Sequence, residues 1–180
     1  MERTELLSQQ NAFIFSQEVD DAILLDQMEK DHEILSVVEG VYYRGTPTSH
    51  GLTPPPQDEV LRLLLPSGWG YTGLSASSRL GVSTRVPSMT YVSVPRACSL
   101  PQLVSSDIKS NRYGRNFLSP MEVSVLETLE AYPKYVDCSL PELISSCRNI
   151  IPPSESARIM SCTVNEPKEV RDRLIKVLSN

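Results

Sequence analysis

The chain has 180 residues, of which 40% are hydrophobic and 22% charged. That length suits one domain or two small ones with a real core, and the composition excludes a disordered tail, a collagen-like chain and a disulfide scaffold. The net charge of −5 argues against a non-specific nucleic-acid binder but hides a banding: residues 1–45 hold 10 acidic and 3 basic side chains, residues 46–118 hold 3 and 7, and residues 119–180 hold 9 and 7.

Glycine and proline punctuate the chain. The first 39 residues hold neither, which predicts helix there. The pattern gives a short helix over residues 4–10, then an apolar patch at Phe13, Ile14 and Phe15. Ser16 is placed to cap a helix running from residue 17 or 18 to Lys30, with Ile23, Leu24, Leu25 and Met28 as its inward face. Two β-prone runs then flank Glu39-Gly40, which predicts a tight hairpin. Helix followed by hairpin is the closing part of a winged helix-turn-helix, with the hairpin as wing.

Residues 47–56 read as a proline-bearing connector, and the prolines before Gln57 lead into a helix over residues 57–65. A Ser67-Gly68-Trp69-Gly70 loop precedes a helix of small residues over 72–80, which Gly81 terminates. Residues 89–94 alternate like a strand, and residues 108–117 read as a strand or an extended basic loop. Ser119-Pro120-Met121-Glu122 and Ser139-Leu140-Pro141-Glu142 are two capping boxes with proline in the first turn. Each predicts a helix, and two more follow at about 154–161 and 166–178. In the last, Val170, Leu174 and Val177 or Leu178 line one side, opposite Arg171, Arg173 and Lys176. The expected fold class is α+β. A shortened winged-helix-like unit occupies residues 1–46, a mixed α/β segment 47–118, and a helical segment 119–180.

No window reaches the roughly 18 apolar residues of a membrane helix. The charged, acidic start at Met1-Glu2-Arg3-Thr4-Glu5 is unlike a secretion signal, so a cytoplasmic protein with no membrane partner is expected. Cys98, Cys138, Cys147 and Cys162 include no pair two residues apart, and the histidines are only His32 and His50. Zinc sites want closely spaced ligand pairs, so reduced structural thiols and no metal or other cofactor are expected.

Enzyme chemistry needs a converging nucleophile, base and orienter, or a metal. No serine sits in Gly-x-Ser-x-Gly, and Gly68-Trp69-Gly70 lacks the later glycine and lysine of a nucleotide loop. The pair Asp20-Asp21 suits a helix cap better than a metal site. Binding is the remaining role. The candidate recognition helix offers Gln27 and Lys30 but also Asp20, Asp21, Asp26, Glu29 and Asp31, which phosphate repels. Arg44 at the wing end is a candidate phosphate contact. The basic residues of the middle, Arg79, Arg85, Arg96, Lys109, Arg112 and Arg115, are either a solvated face or a surface for anions. The run Arg112-Tyr113-Gly114-Arg115-Asn116 mixes cation and aromatic in the way anionic partners favour.

Gly40-Val41-Tyr42-Tyr43-Arg44, Gly70-Tyr71-Thr72-Gly73-Leu74-Ser75-Ala76 and Leu80-Gly81-Val82-Ser83-Thr84-Arg85-Val86-Pro87 carry a further pattern. With the Leu118-Ser119-Pro120-Met121-Glu122 helix start, over about residues 20–130, the chain resembles the AbiEi-type antitoxins and transcriptional regulators of bacterial type IV toxin–antitoxin and phage-defence systems. The resemblance implies an antitoxin that neutralises a nucleotidyltransferase-type toxin encoded beside it. It also implies binding of operator DNA through the winged helix and repression of its own operon. A regulator of a phage-defence locus without a dedicated toxin is the alternative. The chain departs from the family in its shortened, acidic N-terminal unit.

Overall fold

A computed structural model describes residues 3–8, 12–19, 21–101 and 104–179. The chain is α+β, with helices interleaved among three small sheets in the described residues, and it divides into two compact units, Met1–Leu63 and Leu64–Asn180.

In the first unit, α1 (Arg3–Ser8) is followed by β1 (Phe13–Phe15), a 3-10 turn (Ser16–Glu18) and α2 (Ala22–Lys30). The hairpin β2 (Leu35–Val38) and β3 (Val41–Tyr43) comes next. Strand order is β1-β3-β2, all antiparallel, with Phe13 and Leu35 both facing Tyr43. This is the element order of a winged helix whose second helix is reduced to one 3-10 turn. Leu6, Ile14, Val19, Leu25, Met28 and Ile34 form its core.

Helix α2 starts later than the sequence suggested. Its cap is Asp21, whose carboxylate accepts from the backbone N–H of Ile23 and of Leu24 at 3.1 Å each, and Ser16 instead opens the 3-10 turn. Of the expected inward face, Leu25 and Met28 are buried, but Ile23 points outward and is 81% exposed. The helix ends at Lys30, and His32, just past its cap Asp31, has a φ of 55°, in the left-handed region. Phe13, Ile14 and Phe15 are a strand rather than a bare patch. The predicted connector holds the small hairpin β4 (Pro47–Thr48) and β5 (Gly51–Leu52) before α3 (Gln57–Leu64). Gln10, the expected end of the first helix, and Asp20 of the Asp20-Asp21 pair lie outside the described residues.

The second unit holds β6 (Gly70–Tyr71), α4 (Gly73–Arg79), β7 (Thr90–Val94) and β8 (Val104–Ile108), a 3-10 turn (Tyr113–Phe117), then α5 (Pro120–Ala131) and α6 (Leu140–Ile150). A further 3-10 turn (Pro153–Glu155), α7 (Ser156–Cys162) and α8 (Lys168–Leu178) complete it. In its sheet β7 is antiparallel to β6 and parallel to β8, in register from Thr90 with Val104 to Val94 with Ile108. Residues 108–117 are therefore neither strand nor extended loop: the strand ends at Ile108, and residues 113–117 coil into a 3-10 turn.

The capping box of α5 forms as expected: Glu122 N–H donates to Ser119 Oγ at 3.3 Å and Ser119 N–H to Glu122 Oε2 at 2.7 Å. At α6, Ser139 N–H and Oγ both donate to Glu142 Oε2, at 2.8 and 2.7 Å. The expected stripe on α5, Val123, Leu126 and Leu129, is buried, and so are Ser124, Val125, Glu127 and Thr128 between them. Helix α5 is buried nearly all round because β6, α4, α6 and α8 pack on it. The small residues of α4 permit this, with Ser75, Ala76 and Ser77 buried. On α8, Val170, Leu174 and Val177 face the core as the spacing predicted. Residues 47–63 group with the first unit, and residues 64–118 with the helical segment. The boundaries expected after residues 46 and 118 are replaced by one after Leu63. The charge and packing partners of residues 64–118 lie on α5 and at Glu166, just before α8, so no boundary separates them.

Candidate functional site

In the first unit, α2 stands where a winged helix carries its recognition helix. Gln27 is exposed and donates from Nε2 to Asp31 Oδ1 at 2.9 Å. Lys30 is exposed, without an ion-pair partner among the described residues. Ile23, Asp26, Gln27 and Lys30 share one face by their three- and four-residue spacing. Arg3 of α1 holds Asp31 Oδ2 at 2.6 Å and Glu33 Oε2 at 2.7 Å, and this guanidinium keeps the Asp31 carboxyl below its usual range. Asp21, Asp26 and Glu29 remain against Lys30. Burial pushes the Tyr42 hydroxyl up, and the charges of Asp26 and Glu29 add to that shift. The field around α2 is negative.

The wing is short and tied down. Its tip carbonyl, Gly40, accepts from Ser16 N–H at 2.9 Å. Gly40 has a φ of 76°, and a Cβ there would stand 2.8 Å from Ser16 Oγ, so the turn needs glycine twice over. Arg44 does not reach out toward phosphate. Its guanidinium donates to the carbonyls of Leu6, at 3.2 Å, and Leu7, closing the C-terminal end of α1.

In the second unit the cations expected to meet an anion are largely spent on the protein itself. Arg79 lies over the Tyr71 ring, 3.9 Å from its centroid. Arg85 pairs with Asp137 at 3.0 Å. Arg112 is mostly buried and bonds Glu130 at 3.4 Å, Glu166 at 3.3 Å and the Asn165 carbonyl at 3.1 Å. Arg115 is 1% exposed. It donates to both oxygens of Glu166, to Ser93 Oγ at 3.0 Å and to Glu127, whose other oxygen accepts from Thr72 Oγ1. Burial pulls the Arg115 pKa down, but the bonds to Glu166 and the charge of Glu127 outweigh it and hold the guanidinium above its ordinary value. Lys109 reaches Asp107 at 3.4 Å and Glu130 at 3.3 Å. The 112–116 run is thus a structural knot: Arg112 and Arg115 turn inward, while Tyr113 is 71% exposed.

The Leu80–Pro87 motif is read the same way. Leu80 and Val82 enter the core. Asp137 Oδ2 accepts from Ser83 Oγ at 2.7 Å and Thr84 N–H at 2.9 Å. These bonds hold the Asp137 carboxyl below the usual range. Val86 is 86% exposed, and Gly81, Thr84 and Arg85 also face solvent.

Sequence reasoning missed Glu127, Glu130, Glu166 and Asp137. A glutamate flanked by Val125, Leu126, Thr128 and Leu129 in a strongly apolar helix was the available signal, since a buried carboxylate demands a cation. It also missed a cavity of about 710 Å³ bordered by Ser67, Arg96, Ser110, Tyr113 and Asn116. All four cysteines are free, and burial pushes the Cys147 thiol up to about 12, a structural rather than reactive setting. Among the described residues, no helix is long and apolar enough to cross a membrane, and no group of three or more histidine, cysteine or acidic residues is placed to hold a metal.

No family model and no curated protein matches the chain. Among solved structures the chain is similar to the RV2827C protein from Mycobacterium tuberculosis, with 15% sequence identity and a TM-score of 0.50 over 97% of this chain and 74% of that one. At that identity the likeness concerns the fold alone.

Proposed function

We propose that the chain is a cytoplasmic antitoxin of the type IV kind, which acts by binding a nucleotidyltransferase-type toxin and not by catalysis. The observation that carries the reading is the outer face of α2, where Ile23 is 81% exposed in a negative field set by Asp21, Asp26 and Glu29. An apolar side chain within a charged rim is the anatomy of a protein-binding patch. The same field repels phosphate, which supplies most of the affinity for DNA. The resemblance of residues 40–44 and 70–87 to AbiEi-type antitoxins supplies the partner's class. Four free thiols fit a reducing compartment.

The test is co-expression with the product of the adjacent reading frame. Restored growth supports the reading, and toxicity that persists at equal expression overturns it. A second reading, a DNA-binding regulator of a phage-defence locus, draws on the winged-helix element order of the first unit. A salt-resistant mobility shift on the chain's own promoter, without rescue of a toxin, would favour it.

A further inference from the structure

Strands β7 and β8 are parallel and end level, Val94 beside Ile108. In open sheets with parallel strands, ligands settle in the crevice beyond the carboxyl ends, where the chains diverge. The cavity of about 710 Å³ lies there: Pro95 and Arg96 follow β7, and Ser110 follows β8 by two residues. Leu65, Pro66, Ser67, Tyr113 and Asn116 complete its lining.

The lining has one charge sign. Arg96 is exposed, has no ion-pair partner among the described residues, and no carboxylate lines the cavity. It thus differs from Arg85, Lys109, Arg112 and Arg115, whose charges are met internally. Two hydroxyls and an amide, from Ser67, Ser110 and Asn116, add hydrogen-bonding capacity around it. Beside them stands the ring of Tyr113, 71% exposed.

The turn carrying that ring is held firmly. Arg112 and Arg115 anchor it on both sides of Tyr113, and Gly114 lies so close to the Cys162 carbonyl that a Cβ would stand 1.7 Å from the oxygen. Gly68 packs against the backbone of Arg115 and Asn116, where a Cβ would meet atoms at 3.0 Å, so the loop carrying Ser67 lies against the same turn. An exposed ring on a firmly held turn, lining one cavity with a guanidinium that has no ion-pair partner among the described residues, is suited to an aromatic group that carries an anion, the ring by stacking and the cation by charge-assisted hydrogen bonds.

We propose that this cavity binds a nucleoside phosphate group, with the phosphate on Arg96 and the base against Tyr113. Free nucleotides and single-stranded nucleic acid both present that group. The proposal does not rest on the antitoxin reading.

The test uses the full chain and fluorescence polarisation with two probes, a labelled adenosine monophosphate and a labelled six-nucleotide single strand. Saturable binding of either, displaced by unlabelled nucleotide, is expected; the probe that binds identifies the source. Arg96→Gln should weaken it about tenfold or more, the scale of one charged hydrogen bond. Tyr113→Ala should weaken it by a similar factor, while Arg62→Gln, an exposed cation on α3 outside the cavity, should leave it unchanged. Arg96 is exposed with no ion-pair partner among the described residues, so its variant should melt with the parent and remain informative even if Tyr113→Ala is unstable. Absence of binding to both probes at millimolar protein would overturn the proposal. So would unchanged affinity in Arg96→Gln, or displacement by inorganic phosphate as effective as by adenosine monophosphate.

Discussion

Both carboxylate oxygens of Glu166 accept from Arg115, Nε to Oε1 at 2.7 Å and a terminal nitrogen to Oε2 at 2.9 Å. The pair is nearly sealed from solvent, at 1% exposure for the Glu166 side chain and 2% for that of Arg115. In such a place a fork-on-fork pair fixes geometry more than it adds net stability, but losing one member leaves an uncompensated buried charge. Arg115→Met should therefore cost about 3–5 kcal/mol in urea unfolding, because Glu127 loses its ion pair and Glu166 keeps only Arg112. Arg115→Lys keeps the charge without the fork and should cost less. Equal stability of Arg115→Met and parent would show that the charges find other partners.

The Cβ of Gly114→Ala has no room, since the Cys162 carbonyl would stand 1.7 Å away. The 3-10 turn and the end of α7 must then part. A loss of at least about 1–3 kcal/mol, the range for overpacking, is expected in the same unfolding experiment.

Asp137 holds Ser83 and Thr84 as an anion, with its folded pKa below the ordinary value of about 3.9. Its contribution is complete above that ordinary value and is lost as pH falls through the lower folded one. Asp31 and Glu142 are depressed likewise, by Arg3 and by Ser139. Thermal unfolding temperatures should hold from pH 7 down to about 4 and drop below it. Asp137→Asn should melt lower than the parent at pH 7 and show a shallower drop in acid. A parallel acid limb in the variant would remove Asp137 from this account.

The Ile23 side chain is 81% exposed, and only its backbone N–H serves the Asp21 cap. Ile23→Asp should leave stability within about 0.5 kcal/mol, as surface substitutions do, yet lose toxin neutralisation on co-expression. Rescue undiminished by this change would move the toxin contact elsewhere.

DNA binding should be weak. With Arg44 closing α1 and Asp26 and Glu29 beside Lys30, a promoter fragment should bind no tighter than about 10⁻⁶ M at physiological salt, the non-specific range. A nanomolar mobility shift would contradict this. If it persisted in Arg79→Glu and Arg85→Glu, the charge argument itself would fall.

Local signals were readable where chemistry acts over a few residues. The two Ser-x-x-Glu boxes, the Glu39-Gly40 hairpin and the stop at Gly81 each depend on neighbours in the chain, and each stands where expected. The helix start at Asp21 was misplaced because Ser16 and Asp21 are both good caps, and tertiary packing selects between them. The charge banding misled more seriously. It counted Arg112 and Arg115 as surface because their counter-charges, Glu127, Glu130 and Glu166, lie up to 54 residues away and only folding unites them. Tyr113 stood in a run whose cations and aromatic suit anionic partners, but Arg96 lies earlier in the chain and joins it only where β7 and β8 end side by side.

That division of charge has a consequence for how the second unit holds together. Lys109, Arg112 and Arg115 come from one stretch of chain, and Glu127, Glu130 and Glu166 from the stretch after it. Neither stretch can bury its own ions alone. Cut between them, the two pieces would be complementary halves, each soliciting the other. The insulation of the cluster from water is therefore a form of covalent economy: recognition that two chains would need in order to assemble is here carried out within one.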